Sequence, residues 1–379
     1  MKYKLSDVVD RINGNVDRFT TSLEYYVGGE HFESNELEIT GCGLIKPNVN
    51  ILGFKFHFAF QPGDVLYMAR NPHLRKAGMV NFSGICSDAS YILRTKDSNV
   101  LCQEYLAVIM QSNHLWDYCE SHKVGSVNFA INWKTLANYE FDLPDINIQR
   151  SIANRIWAAY RVKQAYKKLI SATDEMVKSR FLEMFGNPFE ESDDKVKLGT
   201  LCEINPTKPK GLSDDLCVSF IPMDKVNEDG TTSRFEVRSL SEVKKGFTYC
   251  QDNDVLFAKI TPCMENGKGA VMTGLSNRIG FGSTEFHVLR PKEGVTTPIW
   301  LYHLTKMDLF RLDAAKNMTG TGGQKRVPTQ YLENFMVSTP SFDLQNQFME
   351  LASQADKSKF ELKRAIEAID KVIKSLING

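Results

Sequence analysis

The residues best equipped for chemistry in this chain lie in short loops rich in Gly, Thr, Asn, Gln, Lys and Arg. One loop, Thr319-Gly320-Thr321-Gly322-Gly323-Gln324-Lys325-Arg326, follows Lys316-Asn317-Met318. Glycine lets a backbone approach a ligand closely. Gln can pair bidentately with adenine and Arg with guanine, while Lys or Thr can hold phosphate. The candidate nucleic-acid contacts here are Thr319, Thr321, Gln324, Lys325 and Arg326. An earlier stretch, Lys123-Val124-Gly125-Ser126-Val127-Asn128, has Asn132 and Lys134 close behind it and nominates Lys123, Ser126, Asn128, Asn132 and Lys134. Two basic loops, Arg70-Asn71-Pro72-His73-Leu74-Arg75-Lys76 and Lys259-Ile260-Thr261-Pro262, add Arg70, Arg75, Lys76, Lys259 and Thr261. Any one of these loops alone reads as a solvated polar turn.

Bond-making chemistry finds no comparable support. There is no G-x-S-x-G, H-E-x-x-H or Walker A sequence, and the 319–326 loop lacks a GK[ST] ending. Asn187-Pro188-Phe189 lacks the second proline of the Asn-Pro-Pro-aromatic box of amino-methyltransferases and sits at a helix stop. Glu242-Val243-Lys244 is a lone nuclease-like match. The seven histidines are scattered, and no two of the eight cysteines stand closer than 13 residues, so C-x-x-C zinc or redox sites are excluded by spacing. The cysteines read as reduced, mostly buried residues of a cytoplasmic protein. No catalytic residue and no metal ligand is expected.

The elements that must position these loops come in two copies. Leu136-x-Asn138-Tyr139-x-Phe141-x-x-Pro144 recurs as Leu332-x-Asn334-Phe335-x-Val337-x-x-Pro340, at an offset of 196 residues. Ser87-x-x-x-Tyr91-Ile92-Leu93-Arg94 matches Ser283-x-x-x-His287-Val288-Leu289-Arg290 at the same offset. Asp64-Val65-Leu66-Tyr67 matches Asp254-Val255-Leu256-Phe257 at 190, and Gly125-Ser126 matches Gly320-Thr321 one step out of register. Four blocks in one order indicate a tandem duplication. It places basic loops at equivalent points, after the Asp-Val-Leu-aromatic strand of each half. In each half a mixed segment of short strands ends at a proline, 144 or 340, and a long stretch without Gly or Pro follows.

Both stretches are helical by periodicity. Ile148, Ile152, Ile156, Ala159, Val162, Tyr166, Leu169, Thr173, Met176, Arg180 and Phe181 advance by three and four. Leu344, Phe348, Leu351, Ala355, Leu362, Ile366, Ile369, Ile373 and Leu376 do likewise, with a polar gap at Ser358-Lys359. Asp145 and Asp343 are the expected N-caps. Helices of about 35–40 residues, roughly 50–60 Å long, rarely stand alone, and an antiparallel coiled coil is the expected pairing. The first ends near Phe181-Leu182-Glu183-Met184-Phe185-Gly186-Asn187-Pro188, and the polar run from Glu190 to Lys195 reads as a linker. Arg150, Arg155, Arg161, Lys163, Lys167, Lys168, Lys178 and Arg180 on the first helix could face DNA or simply water.

Composition sets the outer limits. The chain has 379 residues, enough for two or three domains, with 42% hydrophobic and 24% charged residues. No run of 18 apolar residues exists; the nearest approach, Ile51-Leu52-Gly53-Phe54, is broken by Lys55, so no membrane span is expected. Lys+Arg and Asp+Glu balance at 46 each, which excludes a uniformly basic surface but not a local basic face.

This pattern resembles the specificity subunit of type I restriction-modification enzymes. The resemblance spans essentially the whole chain and rests on the doubled Pro-x-x-x-x-Gln helix start (Pro144 with Gln149, Pro340 with Gln345), the Phe-Gly-Asn-Pro junction at 185–188, and Lys197-Leu198-Gly199 reopening the pattern. It implies an α+β fold with an internal pseudo-two-fold repeat: target-recognition domains over 1–143 and 188–339, and long helices over 144–187 and 340–379, packed as an antiparallel coiled coil. It implies that the two domains read the halves of a split double-stranded DNA target, with the helices setting the spacing between halves. Two methyltransferase subunits would dock on the helices, at positions including Ile152, Ile156, Leu169, Met176, Phe348, Leu362, Ile366 and Ile373, and restriction subunits would join them. This chain would carry no cofactor; S-adenosylmethionine, ATP and Mg would belong to the partners. The alternatives are a specificity subunit of a related methyltransferase-nuclease system, a self-contained methyltransferase or nuclease, or a coiled-coil adapter that never touches DNA.

Overall fold

The computed structural model describes residues 2–45, 52–126, 128–187, 189–190, 195–321 and 323–379. Ile51, Val127, Pro188, Gly322 and the linker residues 191–194 lie outside the described residues. The chain divides into two compact units, Met1–Lys168 with Leu362–Gly379, and Leu169–Glu361. Each is built from a mixed segment and one portion of each long helix.

The mixed segments share a topology. In the first unit the strands run Val9–Ile12, Ser90–Thr95, Val65–Met68, Ala77–Val80 and Glu38–Ile39 across one sheet. The second unit has Cys202–Ile204, Phe286–Pro291, Val255–Ala258 and Gly269–Val271 in the same order, with no fifth strand among the described residues. A second sheet in each has a parallel central pair, Tyr26 opposite Ile85 in one unit and Phe220 opposite Phe281 in the other. The registers explain the two offsets. Leu66 faces Ile92 and Leu256 faces Val288; the difference between 190 and 196 is absorbed in the loops following Met68 and Val80, which are longer in the second unit.

The repeated Asp before each central strand is more than a turn former. Asp64 and Asp254 are each 1% exposed. Each receives a two-pronged guanidinium: Arg94 Nε and Nη2 at 2.8 and 3.0 Å on Asp64, Arg290 at 2.8 and 2.7 Å on Asp254. A buried carboxylate is tolerable only with such a partner.

The long helices span Ile146–Phe185 and Phe342–Asn378. Asp145 caps the first, accepting from the Asn147 N–H at 2.9 Å. At the second, Asp343 lies inside the first turn and Ser341 is the cap, accepting from Leu344 N–H at 3.3 Å. The helix begins two residues earlier than expected because Ser341 supplies the side-chain acceptor. The buried line on the first helix also differs from the expected stripe. It runs Gln149, Ala153, Ile156, Tyr160 and Lys163, then Val177 and Phe181. Ile148, Val162, Leu169 and Met176 are exposed, 42% to 53%. Hydrophobicity alone misplaced the line because it passes through two polar residues.

Those polar residues are satisfied internally. In the first unit the Lys163 ammonium lies 2.9 Å from Glu36 and 2.8 Å from Asp370, with Lys167 also on Glu36 at 2.9 Å. Burial opposes ionisation of Glu36, but the two lysines outweigh it and hold its carboxyl below the ordinary range. In the second unit the helices run antiparallel: Asp174 pairs with Lys359 at 2.7 Å, and Phe181 packs edge-on to Phe348 with centroids 5.3 Å apart. Lys359 explains the polar gap in the second helix.

Gln149 and Gln345, both 0% exposed, tie each helix start to its own unit. Gln149 accepts from Cys102 N–H at 3.2 Å and donates to the Val100 and Pro144 carbonyls. Gln345 accepts from Thr296 Oγ1 and Thr297 N–H and donates to the Val295 and Pro340 carbonyls. Replacing Gln345 by Leu strands these buried groups and should cost on the order of 3 kcal/mol. The lowered midpoint would be seen in urea unfolding, and Gln149→Leu should match it.

Candidate nucleic-acid interface

Backbone pairing gathers the candidate loops in each unit separately. In the first unit Val124 and Ala130 exchange N–H to carbonyl bonds at 2.8 and 2.9 Å, closing a hairpin. Ala130 also bridges Arg70, Asn71 N–H donates to Phe129 carbonyl at 2.7 Å, and Ile131 N–H to Ala69 carbonyl at 2.9 Å. In the second unit Thr319 and Arg326 close the same hairpin at 2.9 and 2.8 Å, Arg326 bridges Ile260, and Thr261 and Val327 donate to Lys325 and Lys259. The loop after the Asp-started strand and the Gly-containing loop thus form one surface in each half. Their single-step slip is one extra residue inside the second hairpin. Gly125 and Gly320 hold φ of +113° and +120°, and a Cβ there would sit 2.8 Å and 2.9 Å from the Asn128 and Gln324 carbonyl oxygens. Only glycine fits both the backbone conformation and the space.

The side chains divide into those presented to solvent and those used by the fold. Thr319, Thr321, Gln324 and Lys325 are exposed, as are Arg70, Ser126, Asn128 and Lys134. Arg326 instead forks onto Glu285, both bonds 2.8 Å, and donates Nη1 to the Gln324 carbonyl. The guanidinium holds the Glu285 carboxyl below its ordinary range. Burial lowers the pKa of the half-buried Lys259 ammonium, and Thr261 donates to Glu265. Asn132 caps the helix Trp133–Ala137 through Thr135 N–H at 2.9 Å. Arg75 donates to Asn113 at 2.7 Å, Lys76 to the Gly29 carbonyl at 2.7 Å, and Lys123 pairs with Glu120 at 2.7 Å beneath the Phe129 ring.

Several residues of the second unit belong to no sequence motif. Asn205, Lys208, Lys244, Phe247 and Tyr249 line a recess with Lys259 in the second unit. Glu285 restrains Arg326, and nothing in the local sequence marks it. The lone nuclease-like match dissolves: Glu242 accepts from Ser239 at a helix start, and Lys244 pairs with Asp214. Lys163 and Lys167 serve ion pairs, and Lys178 and Arg180 pair with Glu175 and Glu183. Of the helix positions named for partners, Ile156, Phe348 and Ile373 are buried in their own units, Ile152, Leu362 and Ile366 are half-buried, and Leu169 and Met176 are exposed. Most of the cysteines are buried, Cys42 and Cys217 being exposed. Among the described residues no helix is long and apolar enough to cross a membrane.

A family model described as "Type I restriction modification DNA specificity domain" matches residues 1–171 and 191–370. The chain belongs to this family. The EcoAI specificity subunit of Escherichia coli is 35% identical over 198 residues, 50% of this chain and 33% of that protein. The EcoEI specificity subunit of Escherichia coli is 36% identical over 157 residues, 40% of this chain and 26% of that protein. These matches thus span about a third or less of the relatives' own lengths. A type I restriction-modification S subunit from M. genitalium shares the fold, with TM-score 0.58, 12% identity and coverage of 100% and 94% of the two chains. So does a chain from a structural study of assembly and conformational transition in the type I R-M system, at 0.52, 15%, 100% and 96%.

In this specificity-domain chain the second unit hides two histidines. Burial lowers the pKa of His287 to about 4 and of His303, surrounded by Phe181, Tyr302 and Phe348, to about 3. Unfolding restores an ordinary value of about 6.5. The unfolded chain therefore binds protons first as pH falls below that value, and the stability of the fold is lost progressively toward the folded pKa. By about pH 4.5 the loss should be on the order of 2–3 kcal/mol per histidine. Urea midpoints measured from neutral to acid pH check the size, and His303→Leu should remove roughly half of the dependence, leaving that of His287.

Proposed function

We propose that this chain is the non-catalytic, sequence-specific DNA-recognition subunit of a type I restriction-modification complex in the cytoplasm. Residues 1–143 and 188–339 are its target-recognition domains, each reading one half of a split double-stranded target. Residues 144–187 and 340–379 supply the helices on which two methyltransferase subunits dock, with restriction subunits joining. S-adenosylmethionine, ATP and Mg act in those partners. The observation that carries the reading is the duplicated surface made by a basic loop laced to a Gly-containing hairpin. It recurs at the same point of both halves and turns Thr, Ser, Asn, Gln, Lys and Arg side chains outward. Membership of the specificity-domain family supports it.

Within the proposed interface the roles separate by geometry. Gln324, exposed and carrying a paired donor and acceptor, suits an adenine edge. Lys325, Arg70 and Lys134 suit phosphates. Arg326 orders the hairpin while its fork is held by Glu285. On the second-unit portion of the first long helix, Leu169 and Met176, exposed and seven residues apart, are the face offered to partner protein.

The purified chain assembled with its methyltransferase partner should retard one interrupted DNA site in preference to competitor. Gln324→Ala should relax the preference at one base position by about 1–3 kcal/mol. Lys325→Ala should weaken all sequences alike and reduce the salt slope by about one phosphate contact. Intact affinity and preference in the double variant would overturn the assignment of this hairpin. Methyl transfer by the chain alone would overturn the non-catalytic reading.

A further inference from the structure

The two reading hairpins end on equivalent carbonyls, and a buried side chain from the neighbouring strand grips each. In the first unit Tyr91, on the strand Ser90–Thr95, donates its hydroxyl to the Ile131 carbonyl at 2.9 Å. In the second unit His287, on the strand Phe286–Pro291, makes the matching bond to the Val327 carbonyl at 2.7 Å. Donor and acceptor positions are both related by the offset of 196. Tyr91 is 7% exposed and His287 3%.

The chemistry of each grip is determined. A carbonyl only accepts, so His287 must carry its proton on Nε2. Asn205 enforces that tautomer. Its Oδ1 accepts from Val288 N–H at 3.1 Å, which turns its Nδ2 toward His287 Nδ1 at 3.0 Å. Asn205 holds this pose at φ +53°, in the left-handed region. Tyr91 is fixed differently, stacked on Tyr67, edge-on to Trp133, and covered by the Arg11 guanidinium at 4.4 Å. Both rings act at the base of the hairpin, through Ile131 and Val327. Each fixes the residue at which its hairpin returns to the sheet, directly beside the Ile131 to Ala69 and Val327 to Lys259 backbone bonds.

We infer that Tyr91 and His287 are paired positioning residues, each setting the pose of one reading hairpin and hence the discrimination of one half-site. The inference rests on the proposed DNA-recognition function. It goes beyond it by making half-site fidelity separable through residues that contact no DNA.

The test uses Tyr91→Phe and His287→Phe in the complete assembly with methyltransferase partners, on DNA in which either half-site alone is scrambled. Each variant should lose about tenfold in discrimination at one half-site, a different half for each, with the other half unchanged. Full discrimination in both variants, or equal loss at both halves in each, overturns the inference. His287→Gln, which keeps a donor, should recover part of the loss, and an unchanged defect there counts against the bond. Hydrogen exchange reads the grip without DNA. The amides of Ile131 should exchange faster only in Tyr91→Phe, and those of Val327 only in His287→Phe. Unchanged exchange sinks the positioning role itself. Altered exchange in the variants, combined with a wild-type assembly that discriminates no DNA, would instead leave the grip standing and defeat the recognition reading.

Discussion

A buried glutamine at the foot of each long helix carries the heaviest structural obligation in this chain. Backbone groups sealed from water must find partners inside the protein. Here the segment before a short helix, the proline turn and the first turn of a long helix converge, leaving exposed-chain polarity with no solvent to meet it. Gln offers one acceptor and two donors in a rigid amide, and at 149 and 345 it uses all of them in the same way. The direction in which each helix leaves its own mixed segment follows from that three-way tie. The proline ahead of it cannot continue a strand ladder, and the cap behind it starts the helix.

The forks Asp64–Arg94 and Asp254–Arg290 do the corresponding work inside the sheets. Each anchors the start of the central strand to its neighbour, in a place where an unpaired charge would be intolerable. With the sheet and the helix foot both secured, the loops between them are free to differ. They do differ: the second hairpin gains a residue, its closing position is Arg326 in place of Ala130, and the grip on its end is a histidine instead of a tyrosine. Two copies of one scaffold can therefore present two distinct surfaces, as the proposed reading of two unlike half-sites requires.

Charge is distributed by task. Within the balance of 46 basic and 46 acidic residues, Lys163, Lys167, Lys359, Arg94, Arg290 and Arg326 are matched internally to carboxylates. What remains outward on the hairpins is a small basic and amide-bearing set, without the wide positive field of an autonomous DNA binder. On the proposed reading, the neutral remainder suits a subunit whose partners share the neutralisation of phosphate.

Much of this was legible in the residues alone. The duplication, its two offsets, the strands after Asp64 and Asp254, both long helices and the pairing of loops between halves follow from type and spacing, because strand and helix periods and glycine requirements are local properties. Four things were not legible. The buried helix line runs through Gln149 and Lys163, whose polarity is cancelled only by distant groups such as Glu36 and Asp370. The second helix is capped by Ser341, not Asp343, because a cap is decided by which oxygen reaches an amide. Arg326, Arg75 and Asn132 looked like ligand-facing residues, yet their partners Glu285, Asn113 and Thr135 draw them back into the fold. Tyr91 and His287 stood in the repeat from the start, but only the folded chain brings each to its carbonyl. Periodicity is written along the chain, so sequence by itself determined which elements form and that they form twice. Most of the deciding partners lie 30 to more than 200 residues away, so it was tertiary structure that decided which polar side chains hold the scaffold and which are left to meet a ligand.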